Sequence, residues 1–305
     1  MHYVTIAVLV VVAVVESIDY GFPVNVIVAV LTASVLDVAI KMLWLKRKLT
    51  IPLSAIITGL IIGSVSVNAP PAGVFIAAVL AILSKFFIRF KGSHIFNPAL
   101  FGVVITQIFS PAAHGPVAHG SSQVIEGFGP GGFIVNIWLV PLLLLASWRA
   151  RKLWISIPYL FATALFFNFT GLSSLNSLNI RDIFKFLEIL PYYYAFIMVS
   201  EPKTTPYFKK EQVIFGIGIA TLSVLPLFIF DFYNHVVALV ALLLGNIIYT
   251  VYRVATTGTS YTENLRNKKI ILVIVGMVVA LVALYFGVNW LTDQIPSHVP
   301  IKHDV

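Results

Sequence analysis

The sequence predicts an all-α, polytopic membrane protein that crosses the bilayer about ten times, and three observations lead there. Hydrophobic residues make up 59% of the 305 residues while charged ones make up 10%, well under the roughly 25% charged share of a soluble domain. Apolar runs recur from end to end, many of them near the ~20 residues that a helix needs to cross a hydrocarbon core about 30 Å thick. The runs are apolar on every face, as at residues 270–290, whereas the strands of a membrane barrel would alternate over about ten residues.

In chain order the expected spans are 3–18, 23–43, 51–67, 73–87, 98–109, 133–146, 153–169, 186–199, 213–230, 236–252 and 270–288. The runs 98–109 and 186–199 are short and fit half-helices that stop inside the protein, so the count is ten or eleven. The first run lacks a basic leader and a small-residue cleavage site, and reads as a retained helix rather than a signal peptide. The longest polar stretches are only loop-sized, which makes residues 1–305 a single membrane domain. Its halves, about 1–130 and 131–290, each hold a short apolar run beside a proline-containing polar motif, the usual pointer to an internal repeat.

Basic residues cluster at Lys46, Arg47 and Lys48; at Lys85, Arg89 and Lys91; at Arg149, Arg151 and Lys152; at Lys203, Lys209 and Lys210; and at Arg266, Lys268 and Lys269. By the positive-inside rule these loops should face the cytoplasm of a cell (inner or plasma) membrane. Segments 110–132, with His114 and His119, and 170–178 carry no lysine or arginine and should face outward. If every run crosses, the amino terminus is inside and the carboxyl terminus outside; a re-entrant run reverses that parity. The formal charge of +8 therefore reflects topology and not a nucleic-acid footprint. The absence of cysteine excludes disulfides, thiolate-bound zinc and cysteine-ligated iron–sulfur clusters in this chain. No pair of histidines sits inside facing spans as a haem would need, and two loop histidines five apart seldom bind zinc.

One motif is Gly92-Ser-His-Ile-Phe-Asn-Pro-Ala-Leu-Phe-Gly102. Pro98 suits the first turn of a helix and Asn97 its N-cap, which is a sufficient structural role. The free amides at such a helix start can also hold an anion or an electron-rich ring. The other is Ser200-Glu-Pro-Lys-Thr-Thr-Pro206, after the aromatic run 191–196. Pro202 and Pro206 stop any helix and leave carbonyls that need partners, in an ordinary loop with a Glu201–Lys203 surface pair or around a ligand.

Polar residues also fall within the apolar runs. Lys41 follows Asp37 by four residues, so both lie on one helical face and can pair. Glu16 and Asp19 lie at the end of the first span, where water can reach them. Thr58, Ser64, Ser66, Thr106, Gln107 and Asn168 either join helices or line a cavity, and the Gly59 and Gly63 positions favour close helix packing.

The stretches His94-Ile-Phe-Asn-Pro-Ala99 and Glu201-Pro-Lys-Thr-Thr-Pro206, in that order and about a hundred residues apart, resemble the signatures of the NqrB/RnfD family. Those proteins are membrane subunits of sodium-pumping quinone reductases and Rnf electron-transport complexes, together with stand-alone relatives. The Trp148-Arg-Ala-Arg-Lys-Leu-Trp154 turn is similar to the family's basic turn between helices, and the resemblance covers roughly residues 51–252. It implies two inverted five-helix repeats similar to urea and ammonium channel architecture. It also implies electron transfer through flavin, with membrane or extracytoplasmic flavoprotein subunits as partners. The residues it marks for cofactor binding are His94, Phe96, Asn97, Pro98, Glu201, Pro202, Lys203, Thr204 and Thr205.

The chain departs from the family in two places. The Ser/Thr-Gly-Ala-Thr motif that carries covalent FMN is missing: Thr257-Gly-Thr259 is the nearest string, and 118–123 shows no match. Non-covalent FMN or riboflavin is the cofactor then implied. Glu201 stands where an aspartate is more usual, and keeps the charge. A channel or carrier for a small solute, and a membrane anchor for redox partners, are the other functions compatible with these residues.

Overall fold

The computed structural model describes residues 2–109, 138–169, 190–230 and 235–256, apart from positions 47, 49, 68, 91 and 92, together with residue 276. The expectations for Arg47, Lys91 and Gly92, for the loops 110–132 and 170–178 with His114 and His119, for Thr257-Gly-Thr259, for Arg266, Lys268 and Lys269, and for the last span apart from residue 276 lie outside the described residues. The chain divides into two compact units, Met1–Arg253 and Val254–Val305. Apart from the last turn of the final helix, the elements below belong to the first.

The protein is mostly helical. Helix α1 (His2–Tyr20) is followed by α2 (Val24–Ala39), which runs on into a π-helical turn, Ile40–Trp44. Then come α3 (Leu53–Val65), α4 (Pro71–Phe87), a short antiparallel pair β1 (Arg89–Phe90) and β2 (Ser93–His94), and α5 (Pro98–Phe109). After these lie α6 (Leu139–Arg149), α7 (Leu153–Phe169), a second π-helical turn (Tyr194–Met198), α8 (Lys209–Phe230) and α9 (His235–Thr256). Each begins or ends within a few residues of an expected apolar run. Among the described residues, one helical run, Val24–Trp44, is long and apolar enough to cross a membrane by length and composition.

Glycines set how closely these helices approach. A Cβ on Gly59 of α3 would lie 2.5 Å from Val30 Cα, and one on Gly63 would meet the Val26 backbone, so α3 lies directly against α2. Gly102 brings α5 onto the Ala77 carbonyl of α4, and Gly216 brings α8 onto the Ile155 carbonyl of α7. Such contacts let backbones touch where larger side chains would hold them apart. Ala33, Ala55 and Ile82 form a fully buried core cluster between α2, α3 and α4, covered by Leu36, Ile40 and Phe86.

Polar groups inside the helices are tied across them. Asn25 at the start of α2 donates from Nδ2 to the carbonyls of Ser66, Val67 and Ala69 at 2.7–2.9 Å, satisfying acceptors that the end of α3 leaves open. Asp37 is fully buried and pairs with Lys41 at 2.5 Å, as its i,i+4 spacing predicts, but also with Lys85 of α4 at 2.7 Å. Glu16 is not at a wet end: its side chain is 7% exposed, beside the Ser64 and Tyr193 hydroxyls, because α3 packs over that face of α1.

Candidate functional site

The two proline-interrupted stretches meet. On one side the β1–β2 hairpin turns the chain back after α4, with Arg89 opposite His94, and Ile95 N–H donates to the Ile88 carbonyl at 3.2 Å. Asn97 then caps α5: its Oδ1 accepts from Leu100 N–H at 3.3 Å, and its carbonyl from Phe101 N–H at 2.9 Å. On the other side the second π-helical turn carries the chain to Ser200, where Pro202 prevents further helix.

The carbonyls freed there find partners on the first stretch and on Lys152, just before α7. Asn97 Nδ2 donates to Met198 O at 3.3 Å. His94 Nε2 lies 2.9 Å from Glu201 Oε1. The other carboxylate oxygen accepts from Thr204 Oγ1 at 3.3 Å, and the Thr205 hydroxyl donates to the Glu201 carbonyl. From below, Lys152 Nζ donates to Thr205 O at 3.3 Å and to Pro206 O at 2.5 Å. Burial pushes the Lys152 ammonium down to about 8. Glu201 therefore bridges to the hairpin instead of serving only a local surface pair.

A cavity of about 250 Å³ lies between the stretches. Of the residues expected to bind cofactor, Asn97, Pro98, Glu201, Pro202 and Lys203 line it. His94, Phe96, Thr204 and Thr205 stand behind the wall. His94 reaches the cavity through Glu201. Phe96 is stacked on Phe101, with ring centroids 5.4 Å apart, and the two threonines are buried inside their own loop. Sequence reasoning passed over His2, Ser54 and Ala150, which also line the cavity, named Phe196 and Ser200 only as parts of the second motif and its aromatic run, and placed Thr58 there only as one of two options. Nothing local marks His2: α1 delivers it to the site from the far end of the sequence. Lys85 and Lys203 lie within electrostatic reach of His2, so the neighbourhood carries positive charge from several elements.

Phe196 offers an aromatic wall, and Lys203, Asn97 and Ser200 offer polar contacts, a lining that fits a planar, electron-poor ring. The volume falls just below the ~300 Å³ at which small-molecule clefts usually begin. Known protein-family models and curated protein sequences show no match to this chain.

Proposed function

We propose that this chain is a membrane-embedded, NqrB/RnfD-like subunit of a flavin-based electron-transport system, with non-covalent flavin held between the Asn97 and Glu201–Pro206 stretches. The observation that carries the reading is the junction itself: two motifs from distant parts of the chain close on one cavity, joined by His94 and Glu201. A bound flavin would supply the electron carriage. The chain's own residues orient it, with Phe196 against the ring, Lys203 as a cation beside it and Asn97 fixing the helix start.

Two features support the membrane setting. Large apolar side chains stand outward on the helices, Leu43 82%, Phe161 65% and Ile214 72% exposed, while the fully buried Asp37 is paired with Lys41 and Lys85. Soluble monomers seldom expose apolar surface on this scale, and lipid demands that polar groups be satisfied inside. Two of the expected basic clusters also meet, since Arg151 and Lys152 of one and Lys209 of the other line one cleft, an arrangement compatible with a common side under the positive-inside rule.

Purified protein should carry flavin absorbance or take up added riboflavin, and Lys203→Ala or Phe196→Ala should weaken that binding. Colourless protein that binds neither riboflavin nor FMN removes the reading. The modest cavity volume favours a second one, a carrier for a small solute. Solute uptake into proteoliposomes with no redox partner present would establish it instead.

A further inference from the structure

A second cavity, of about 570 Å³, opens beside the first and is lined by Arg151, Lys152, Trp154, Lys209 and Gln212 among others. We infer that it binds the phosphate of an anionic phospholipid whose headgroup also carries hydroxyls, as phosphoglycerol does. Among the described residues, no carboxylate lines it, while three cations do. Lys152 spends two of its three N–H groups on Thr205 O and Pro206 O, and keeps one. Helices α7 and α8 both begin at this cleft, with Leu153 and Lys209 in its wall. Their first turns present amides with no partner inside the helix and the positive ends of their dipoles.

Gln212 supplies an independent pointer to a ligand. It is 3% exposed, and its Nε2 donates to the carbonyls of Arg151, Pro206 and Tyr207 at 3.0–3.3 Å. Its Oε1 is buried and has no partner among the described residues. A bare anion would leave that acceptor empty, whereas a headgroup hydroxyl fills it. The rim fits the acyl side: Trp148, Trp154, Tyr207 and Phe208 are all exposed around the opening, the aromatic composition of a membrane interface. Lys209 Nζ lies 5.4 Å above the Trp154 ring, poised between rim and water. Pro202 and Ala150 line both cavities, so a lipid here would brace the wall of the first.

The inference rests on the membrane reading, and the experiment separates the two. The full chain in neutral detergent is titrated with short-chain phosphatidylglycerol and, in parallel, phosphatidylcholine of the same tails, inorganic phosphate and glycerol 3-phosphate. Melting temperature and native mass spectrometry are read for each. Phosphatidylglycerol should raise the melting temperature and stay bound where the others do not. Arg151→Gln with Lys209→Gln should weaken its binding about tenfold or more, with unliganded melting unchanged. Exposed Lys209→Gln alone serves if the double variant misfolds. Equal effects of the two lipids, or a variant that binds like the parent, overturn the site, and full stabilisation by glycerol 3-phosphate overturns the lipid as its source. Alkaline carbonate washing tests the setting separately: release without detergent defeats the membrane reading and the lipid with it, while retention together with no lipid preference defeats the site alone.

Discussion

His94 Nε2 and Glu201 Oε1 lie 2.9 Å apart although 107 residues separate them in the chain. The contact joins the hairpin after α4 to the loop before α8, and both residues are well shielded, with side-chain exposures of 5% and 20%. It is the polar clasp behind the cavity wall, so its loss should be felt as a change in the shape of the cavity as well as in stability.

His94→Ala and Glu201→Ala should each lower the melting temperature, and the double variant should fall short of their sum. Residues in direct contact usually couple by about 0.5–3 kcal/mol. Thermal melts of the four proteins in one detergent measure that coupling, and strict additivity would mean the clasp is not made.

Lys152 predicts a pH dependence with a definite sign. Burial lowers its ammonium from 10.5 to about 8, so between those values the unfolded chain binds more protons than the folded one. Stability attributable to this residue therefore rises with pH across that window. The parent should gain on Lys152→Met in melting temperature from pH 8 to 10. A constant difference between them would contradict the assignment.

The buried Asp37 sits between two ammonium groups, Lys41 and Lys85. Asp37→Ala leaves both cations without their counter-ion, and breaking a buried pair in this way costs about 3–5 kcal/mol. Lys85→Met leaves Asp37 still paired with Lys41, and should cost clearly less. Folded yield and melting temperature of the two variants check the order.

Glycine positions give an internal contrast. Valine at Gly59 or Gly102 would drive side-chain atoms into the backbone of α2 or α4, whereas a Cβ at Gly218 meets nothing within 4 Å. Gly59→Val and Gly102→Val should sharply reduce folded protein, while Gly218→Ala should be neutral or gain up to about 1 kcal/mol from helix propensity. Size-exclusion profiles and melts in detergent distinguish these outcomes.

Much of this architecture is written locally. The apolar runs specify helices, and Asn97 with Pro98 specifies where α5 starts, since capping depends on a few neighbouring groups. Asp37 and Lys41 declare their pairing through one turn of spacing, and Gly59 and Gly63 declare a close helix contact. The prolines at 202 and 206 likewise announce a broken helix whose carbonyls need partners.

What those partners are was decided only in three dimensions. Runs that are apolar on every face carry no amphipathic stripe to say which side turns inward. The sequence by itself could therefore not show that α3 would cover Glu16, that Lys85 would reach Asp37, or that His2 would arrive at the cavity. It determined the helices and their breaks, which depend on interactions within a turn or two of chain. The packing of helix on helix determined which breaks face each other, because that choice depends on backbone approach and on charges brought together from distant segments.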